Sequence, residues 1–231
     1  MGREMISFWK GIFGLPVTSG LRAAKNRLLA EIKIHRSHQS SCRAIRRSYG
    51  SRTDLRLHLG CGPKVKKGWL NLDLHPAADF ALDLREPLPF ADNSCAMIYS
   101  EHFFEHIGYP EPAQALLLDY YRALRPGGRL SIGVPDGELA LRAYGGHDPE
   151  EYFRVSRERW HPAWAKHPME QINYLFRQDG EHQFIYDEKT LGEAMRKAGF
   201  EKVARRVFDP SLDSEERSWG SLTMDGWKPT G

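Results

Sequence analysis

Three polar signals follow three successive strand-like runs in this sequence, and their residue types suit a nucleoside. The first is a glycine turn, His58–Pro63, whose glycines let the backbone approach a ligand closely. The next two runs each end near an aspartate. A carboxylate at a strand end accepts hydrogen bonds from ribose hydroxyls or from an adenine amino group. The residues are Gly60, Cys61, Gly62, Asp73, Leu74, Asp83 and Leu84. Their order along the chain predicts a pocket for an adenosine.

The glycine turn differs from the phosphate-binding turn of dinucleotide enzymes. That motif has a third glycine three residues after the second, and Val65 stands at this position. A Pro-Gly-Gly turn, Pro126–Gly128, also precedes the fifth strand-like run. Both features weigh against a nicotinamide-dependent oxidoreductase or epimerase, which is one alternative for this chain.

The segment Glu101–His106 concentrates histidines and glutamates. His102, Glu105 and His106 fit the H-x-x-E-H spacing of a class of zinc hydrolases, in which both histidines lie on one helix face. Here the pattern starts directly at a strand end, and the sequence signals no third ligand. We therefore predict no metal. Instead, we expect Glu105 and His106 to brace the start of a helix or to face a substrate pocket.

Four side chains have the chemistry of a general base. His102, His106 and His182 carry imidazoles, which titrate near neutral pH. Asp136 follows the fifth strand-like run, where a carboxylate faces the crevice at the sheet edge. If the acceptor of the reaction is a hydroxyl, one of the four is expected to remove its proton.

These residues need a scaffold that brings strand ends together. Beyond residue 54, strand-like runs alternate with helical spacing, which is typical of a largely parallel α/β sheet. The predicted strands are Leu55–Leu59, Trp69–Leu74, Asp79–Leu84, Ala96–Tyr99, Arg129–Val134, Glu201–Phe208 and Gly220–Trp227, and the predicted helices are Gly20–Arg36, Pro110–Leu124 and Asp187–Ala198. We expect seven strands, of which the last two form an antiparallel pair.

Longer motifs resemble class I methyltransferases that depend on S-adenosylmethionine (SAM), in particular their type 11-like group. The most specific are LPF-x-D-x-S (Leu88–Ser94), S-E-H-x-x-E-H (Ser100–His106) and R-x-L-R-P-G-G (Arg122–Gly128). The likeness runs from about Leu55 to Asp136 and resumes over His182–Val203.

The resemblance implies a Rossmann-like α/β methyltransferase domain over residues 55–231 with SAM as its cofactor. The residues before it, 1–54, are predicted from their composition to be a basic helical N-terminal arm and linker, with the linker over residues 37–54. The glycine turn would lie against the methionine part of SAM, and the aspartate after the second strand would hold the ribose. The Asp-Leu pair after the third strand would border the adenine. The floor beside the sulfonium would be lined by Ser100, Glu101 and His102.

Two features depart from the family pattern. Many relatives have an acid two residues before the first glycine of the turn, where this chain has His58. The link from Gly62 to Trp69 also leaves no room for the usual first crossover helix. We expect the methionine end of the cofactor to be more open here.

Residues 137–186 are predicted to be an aromatic-rich insertion that serves as a substrate lid. Within it, residues 144–186 hold nine Tyr, Phe and Trp residues, with arginines between them. Flat rings and guanidinium groups suit sugars that carry phosphates or carboxylates. Similar-looking proteins are often associated with surface-polysaccharide synthesis, which implies O-methylation of a sugar or glycan-type acceptor. A small soluble metabolite and RNA are the alternative acceptors.

Charge is unevenly distributed along the chain. The net charge of the whole chain is only +3, but residues 1–54 form a basic arm with 11 Lys and Arg against 3 Asp and Glu. This arm and the apolar residues of 5–17 suit an anionic membrane surface, whereas the acidic remainder disfavours nucleic acid as a partner. No apolar run is long enough to cross a membrane. We expect a cytoplasmic location, with peripheral contact of the arm at the inner membrane face.

An alternative of another class is an inactive protein that keeps this fold for membrane docking or assembly. Loss of the cofactor acids would mark such a protein, and Asp73 and Asp83 are both present. The sequence therefore favours an enzyme.

Overall fold

A seven-stranded sheet lies at the centre of the structure, a computed structural model that describes residues 20–146 and 149–230. The strands are β1 (Leu55–Leu59), β2 (Leu70–Asp73), β3 (Phe80–Ala81), β4 (Cys95–Glu101), β5 (Leu124–Pro135), β6 (Glu201–Arg205) and β7 (Ser221–Trp227). Their order is β3-β2-β1-β4-β5-β7-β6. Strand β7 is antiparallel to β5 and β6, and the other pairs are parallel. This confirms the predicted Rossmann-like sheet and the antiparallel pairing of its last two strands.

Six α-helices accompany the sheet within the described ranges. They are α1 (Gly20–Tyr49), α2 (Glu111–Ala123), α3 (Gly137–Tyr144), α4 (Pro149–Arg159), α5 (Pro168–Arg177) and α6 (Glu188–Lys197). Helix α2 ends three residues before Pro126, as expected, because proline cannot continue a helix. None of the helices that the structure describes combines the length and apolarity needed to span a bilayer.

The N-terminal helix is longer than the sequence analysis predicted. Residues 37–54 were expected to be a linker, but α1 continues to Tyr49, so this prediction is wrong for residues 37–49. The reason is packing: Ile34, Cys42 and Ile45 are buried at helical spacing, and the last two belong to the core beneath the sheet. The division of the chain at residue 54 remains a prediction, and residues 5–17 lie outside the described part.

The core is built from the inward-facing residues of the parallel strands. Leu57, Leu59, Ile98, Leu130 and Ile132 are completely buried. Burial of each such side chain contributes about 1.5–3 kcal/mol. This burial makes the central strands β1, β4 and β5 a rigid support. The turns that follow these strands lie at the carboxyl edge of the sheet.

The predicted lid, residues 137–186, contains three helices, α3 to α5. They enclose a second, smaller hydrophobic cluster that includes Tyr152, Phe153 and Leu175. Several of the aromatic side chains expected to face a substrate thus form this cluster instead. Tyr144 and Trp164 are half exposed and available for contact with a ligand.

Candidate functional site

The glycine turn after β1 adopts the backbone conformation that its glycines permit. Gly60 has a φ of 67° and Gly62 a φ of 51°, values that disfavour other residues. A Cβ at Gly60 would lie 2.4 Å from the Cβ of Phe103, so the Phe103 side chain occupies the space beside Gly60. At Gly62, no described atom lies within 4 Å of such a Cβ. The turn therefore offers open space for a ligand beside Gly62.

Cys61, between the two glycines, faces inward. It is buried, and burial together with the nearby carboxylates of Asp73 and Asp79 raises the pKa of its thiol to about 12. The side chain is therefore neutral at physiological pH, and the backbone is what this residue can offer to a cofactor.

Asp73 joins the end of β2 to the glycine turn. Its Oδ2 accepts a hydrogen bond of 2.8 Å from the amide of Gly62, and its Oδ1 accepts one of 2.8 Å from the amide of His75. The residue is buried. Each carboxylate oxygen has a second lone pair, so both can still accept from the hydroxyls of a ribose.

Asp83 and Leu84 follow β3, and both are buried. The carboxylate of Asp83 accepts hydrogen bonds from the Arg85 guanidinium, with Nη2 2.7 Å from Oδ2. Burial by itself would raise the pKa of Asp83, but the hydrogen bonds from Arg85 outweigh it and hold the pKa below its ordinary value. Arg85 also pairs with Glu31, which ties helix α1 to this corner of the site.

The end of β4 carries two buried polar side chains with different partners. The Ser100 hydroxyl is buried without a hydrogen-bond partner among the described residues. The Glu101 carboxylate accepts hydrogen bonds from the amide and the hydroxyl of Ser214, at 2.9 and 2.5 Å. Within the described part of the chain, the Ser100 hydroxyl is thus an unpaired polar group that is completely buried, whereas Glu101 holds the loop 206–220 at the sheet edge.

The loop 206–220 covers more of this edge than the sequence suggested. Lys66 donates a hydrogen bond to the carbonyl of Leu212, and Lys64 pairs with Glu216. As predicted, the described stretch 60–69 contains no helix. The loop covers the segment that a crossover helix would occupy, so the methionine end is less open than the short link implied.

Between this loop and the sheet lies a cavity of about 430 Å³. Its lining includes Glu101, Arg205, Arg206, Phe208, Arg217 and Ser221. Of these residues only Glu101 was predicted for the site, because the loop has no periodic pattern and its contacts are distant in sequence. Each of the three guanidinium groups already pairs with a carboxylate, and the N–H groups that remain suit an acceptor with hydroxyl or acidic groups.

His102 follows β4 and lies beside this cavity. Its φ of 53° turns the chain sharply out of the strand. The Nε2 atom is 2.8 Å from the hydroxyl of Ser221, a residue that lines the cavity. Burial, reinforced by the charge of Arg217, lowers the pKa of His102 well below its ordinary value. The imidazole is therefore unprotonated at neutral pH.

Three of the four predicted bases surround the buried carboxyl of Glu105. His102 Nδ1 lies 3.8 Å from Glu105 Oε1, and His106 Nε2 and His182 Nε2 each lie 3.9 Å from the same oxygen. Burial lowers the pKa values of His106 and His182 to about 4 and raises that of Glu105 to about 8. The expected helix start is a 3₁₀ turn, Phe104–His106.

Asp136, the fourth candidate base, contacts a helix start and an arginine. Its Oδ1 accepts a hydrogen bond from the amide of Leu139 at the start of α3, and its Oδ2 pairs with Arg205 at 2.9 Å. These contacts make Asp136 the N-terminal cap of α3.

His58 lies near the end of β1 and is buried. Its Nδ1 lies 3.2 Å from the Asn71 side-chain oxygen. Burial lowers the pKa of His58 to about 4, so the ring is neutral and supplies no charge to a ligand.

Comparison with known proteins points to one family. The sequence matches the family described as "Methyltransferase domain" over residues 37–205. No protein among those with curated descriptions matches it.

Solved structures of similar fold include three that are only distantly related in sequence. One is a SAM-dependent methyltransferase from Methanosarcina mazei, with 15% identity over 81% of this chain and 98% of that one and a TM-score of 0.49. Another, from Archaeoglobus fulgidus, has 16% identity over 87% and 99% of the two chains, with a TM-score of 0.46. Phosphoethanolamine N-methyltransferase 2 from Haemonchus contortus, solved with SAM, has 14% identity over 83% of this chain but only 52% of that one, with a TM-score of 0.46.

The family match covers most of the chain, and the sheet has the order and the single antiparallel strand expected for a class I methyltransferase. The chain therefore belongs to the methyltransferase-domain family, as a SAM-dependent enzyme of class I.

Proposed function

We propose that this enzyme transfers the methyl group of SAM to a hydroxyl oxygen of a sugar or glycan-type acceptor. The bound cofactor supplies an electrophilic methyl group on a sulfonium. The protein must hold the cofactor, place the acceptor oxygen in line with the methyl group and accept the hydroxyl proton.

The residues at the carboxyl edge fit the cofactor. The open space beside Gly62 admits the methionine part, and Asp73 accepts hydrogen bonds from the ribose. Leu84 and Asp83 border the adenine, and the unpartnered hydroxyl of Ser100 provides a buried polar contact on the floor. Cys61, Leu74, Glu101 and His102 complete the proposed cofactor contacts.

The observation that carries the proposed acceptor is the contact between His102 Nε2 and the Ser221 hydroxyl at 2.8 Å. It shows that the imidazole can reach a hydroxyl at the wall of the 430 Å³ cavity. A cavity of this size holds a sugar ring. Because His102 is neutral, it can take the proton of an acceptor hydroxyl. In His106 and His182, Nδ1 contacts a backbone carbonyl and Nε2 faces Glu105, whereas His102 faces Glu105 with Nδ1 and a hydroxyl with Nε2. Among the candidates, His102 is therefore the one we propose as general base.

The test is transfer of labelled methyl groups from SAM to a panel of oligosaccharides with free hydroxyls, some bearing carboxylates or phosphates. We expect label in a sugar hydroxyl, and a loss of about 10²–10⁴-fold in kcat for His102→Gln. SAM affinity, measured by calorimetry on the same samples, should change much less. Label in RNA or in small amines, with oligosaccharides unlabelled, would refute the proposed acceptor class.

We further propose that α1 contacts an anionic membrane. Three apolar side chains on its N-terminal half, Leu28, Leu29 and Ile32, are 61%, 52% and 39% exposed. Basic residues flank them on a helix with no acidic residue in its first turn. Apolar side chains between cations are the pattern of a helix that lies on a charged lipid surface.

Leu28→Glu combined with Leu29→Glu should reduce binding to vesicles that contain anionic lipid by at least about 10-fold. The reason is that two apolar contacts are replaced by charges that the lipids repel. Vesicle cosedimentation measures this, and Leu118→Glu, on a 51% exposed leucine of α2, is the control. Equal loss in both variants, or wild-type binding to neutral vesicles alone, would contradict the proposal.

A further inference from the structure

The buried cluster around Glu105 has the composition of a metal site. Glu105, His106 and His182 each offer one ligand atom, and these atoms all lie within 4.8 Å of one another. Glu105 and His182 side chains are 1% and 3% exposed, so both are removed from water. The three residues come from two separate segments, the turn after β4 and the residues that precede α6.

Both carboxyl oxygens of Glu105 are buried without a hydrogen-bond partner within the described part of the chain. A buried carboxyl without hydrogen bonds is costly, and a bound cation removes that cost. The nearest ring nitrogens are His102 Nδ1 at 3.8 Å and His106 Nε2 and His182 Nε2 at 3.9 Å from Oε1, and all three are too far for a hydrogen bond. Something other than direct hydrogen bonding must satisfy this group.

The other nitrogen of each ring is fixed by the backbone. His106 Nδ1 lies 3.1 Å from the carbonyl of Glu181, and His182 Nδ1 lies 2.6 Å from the carbonyl of Leu175. A carbonyl only accepts, so each Nδ1 carries the hydrogen and each Nε2 presents a lone pair toward Glu105. Backbone carbonyls orient metal-binding histidines in the same way.

The distances between the three ligand atoms fit a bound ion after the side chains shift toward it. Bonds of about 2.0–2.2 Å place two ligands of a tetrahedral ion about 3.4 Å apart. The nitrogens are 3.9 Å from Oε1, so each of these two gaps must close by about half an ångström, and the two nitrogens, which lie within 4.8 Å of each other, must approach by up to about 1.4 Å. Two histidines and one glutamate leave a coordination position open, as in catalytic zinc sites.

From this geometry we propose that Glu105, His106 and His182 bind a divalent transition metal of the zinc type. This departs from the absence of metal expected from the sequence, because His182 supplies the third ligand that the H-x-x-E-H pattern lacked. The ion links the end of β4 to the segment before α6. The site reaches solvent past His106, whose side chain is 26% exposed, so chelators can remove the ion.

The test uses the full-length protein without a histidine tag, stripped with a chelator and dialysed against Zn²⁺ or Co²⁺. We expect about one equivalent of Zn²⁺ by elemental analysis, the visible bands of tetrahedral Co²⁺ without thiolate charge transfer, and a melting temperature raised by Zn²⁺. Glu105→Gln and His106→Gln should lose all three signals. His35→Gln, on an exposed histidine of α1, is the matched control and should keep them.

Circular dichroism establishes that each variant is folded. If Glu105→Gln does not fold, His106→Gln still decides the question, because its side chain is partly exposed. Stoichiometric Zn²⁺ in both variants, or no binding by the wild type at micromolar free Zn²⁺, would overturn the proposal. None of these measurements requires methyl transfer, so the result is independent of the proposed function.

Discussion

Asp73→Ala is expected to weaken the binding of SAM and of S-adenosylhomocysteine by about 100-fold or more. The carboxylate is buried, and it holds the Gly62 amide at 2.8 Å while each oxygen keeps a lone pair for the ribose. Hydrogen bonds to a charged group contribute about 1.5–3 kcal/mol each, and loss of two corresponds to at least about a 100-fold change in Kd. Calorimetric titration of both proteins with each ligand measures the effect.

The control is Asp92→Ala, which removes a carboxylate that is 71% exposed and pairs with Arg122 away from the glycine turn. Its SAM affinity should equal that of the wild type. If Asp73→Ala binds SAM normally, the proposed cofactor site is wrong. If the folded wild type binds neither ligand, the enzyme interpretation fails and the docking or assembly alternative replaces it.

Arg206→Met is expected to lower the free energy of unfolding by about 3–5 kcal/mol, because it leaves the buried carboxylate of Asp213 without its cation, whereas Asp225 keeps its ion pair with Arg129. Arg206 Nη1 and Nη2 lie 2.5 and 2.6 Å from the two oxygens of Asp213, and Nε lies 3.2 Å from Asp225. The side chains of Arg206 and Asp213 are 13% and 6% exposed. Chemical denaturation near neutral pH measures the change.

Arg154→Met is the matched control for this substitution. Arg154 pairs with Glu158 one turn along α4, but both side chains are more than half exposed, so the cost should stay at or below about 0.5 kcal/mol. Similar losses in the two variants would show that the buried network does not contribute as described.

The loss of stability in Arg206→Met depends on pH, and the pKa of Asp213 sets the direction of this dependence. Burial tends to raise the pKa of Asp213, but the hydrogen bonds from Arg206 outweigh it and hold the pKa below its ordinary value. A carboxyl whose pKa is lowered by folding stabilises the folded protein fully at pH values above its unfolded-state pKa, about 3.9. This contribution is lost as the pH falls through the folded-state pKa. The difference between wild type and Arg206→Met should therefore shrink below about pH 4.

Local sequence patterns predicted much of the sheet and the residues at its carboxyl edge that are proposed to contact SAM. Strand β1 has the predicted bounds Leu55–Leu59, and the glycine turn and Asp73 follow their strands as expected. These features depend on a few consecutive residues. The end of α1 was missed because its serines and arginines obscure the buried spacing of Ile34, Cys42 and Ile45, which is stabilised by packing on the sheet.

The parts of the site that depend on distant segments were not predictable from the sequence. Nothing near His182 indicates that its ring faces Glu105, because this contact arises only when the segment before α6 packs on the turn after β4. The loop 206–220 likewise has no periodic pattern, and its contact with Glu101 depends on ion pairs and hydrogen bonds formed across the fold.

Helix α1 also covers the strand at one edge of the sheet. Strand β3 is two residues long and ends the sheet on one side, and the ring of Tyr49 meets Phe80 of this strand edge-on at 6.0 Å. Unpaired edge strands pair readily with other chains, and short, covered ones resist this. A protein shortened to begin at β1 would expose both this edge and the apolar surface that Cys42 and Ile45 cover. Such a fragment is expected to aggregate more readily than the full chain.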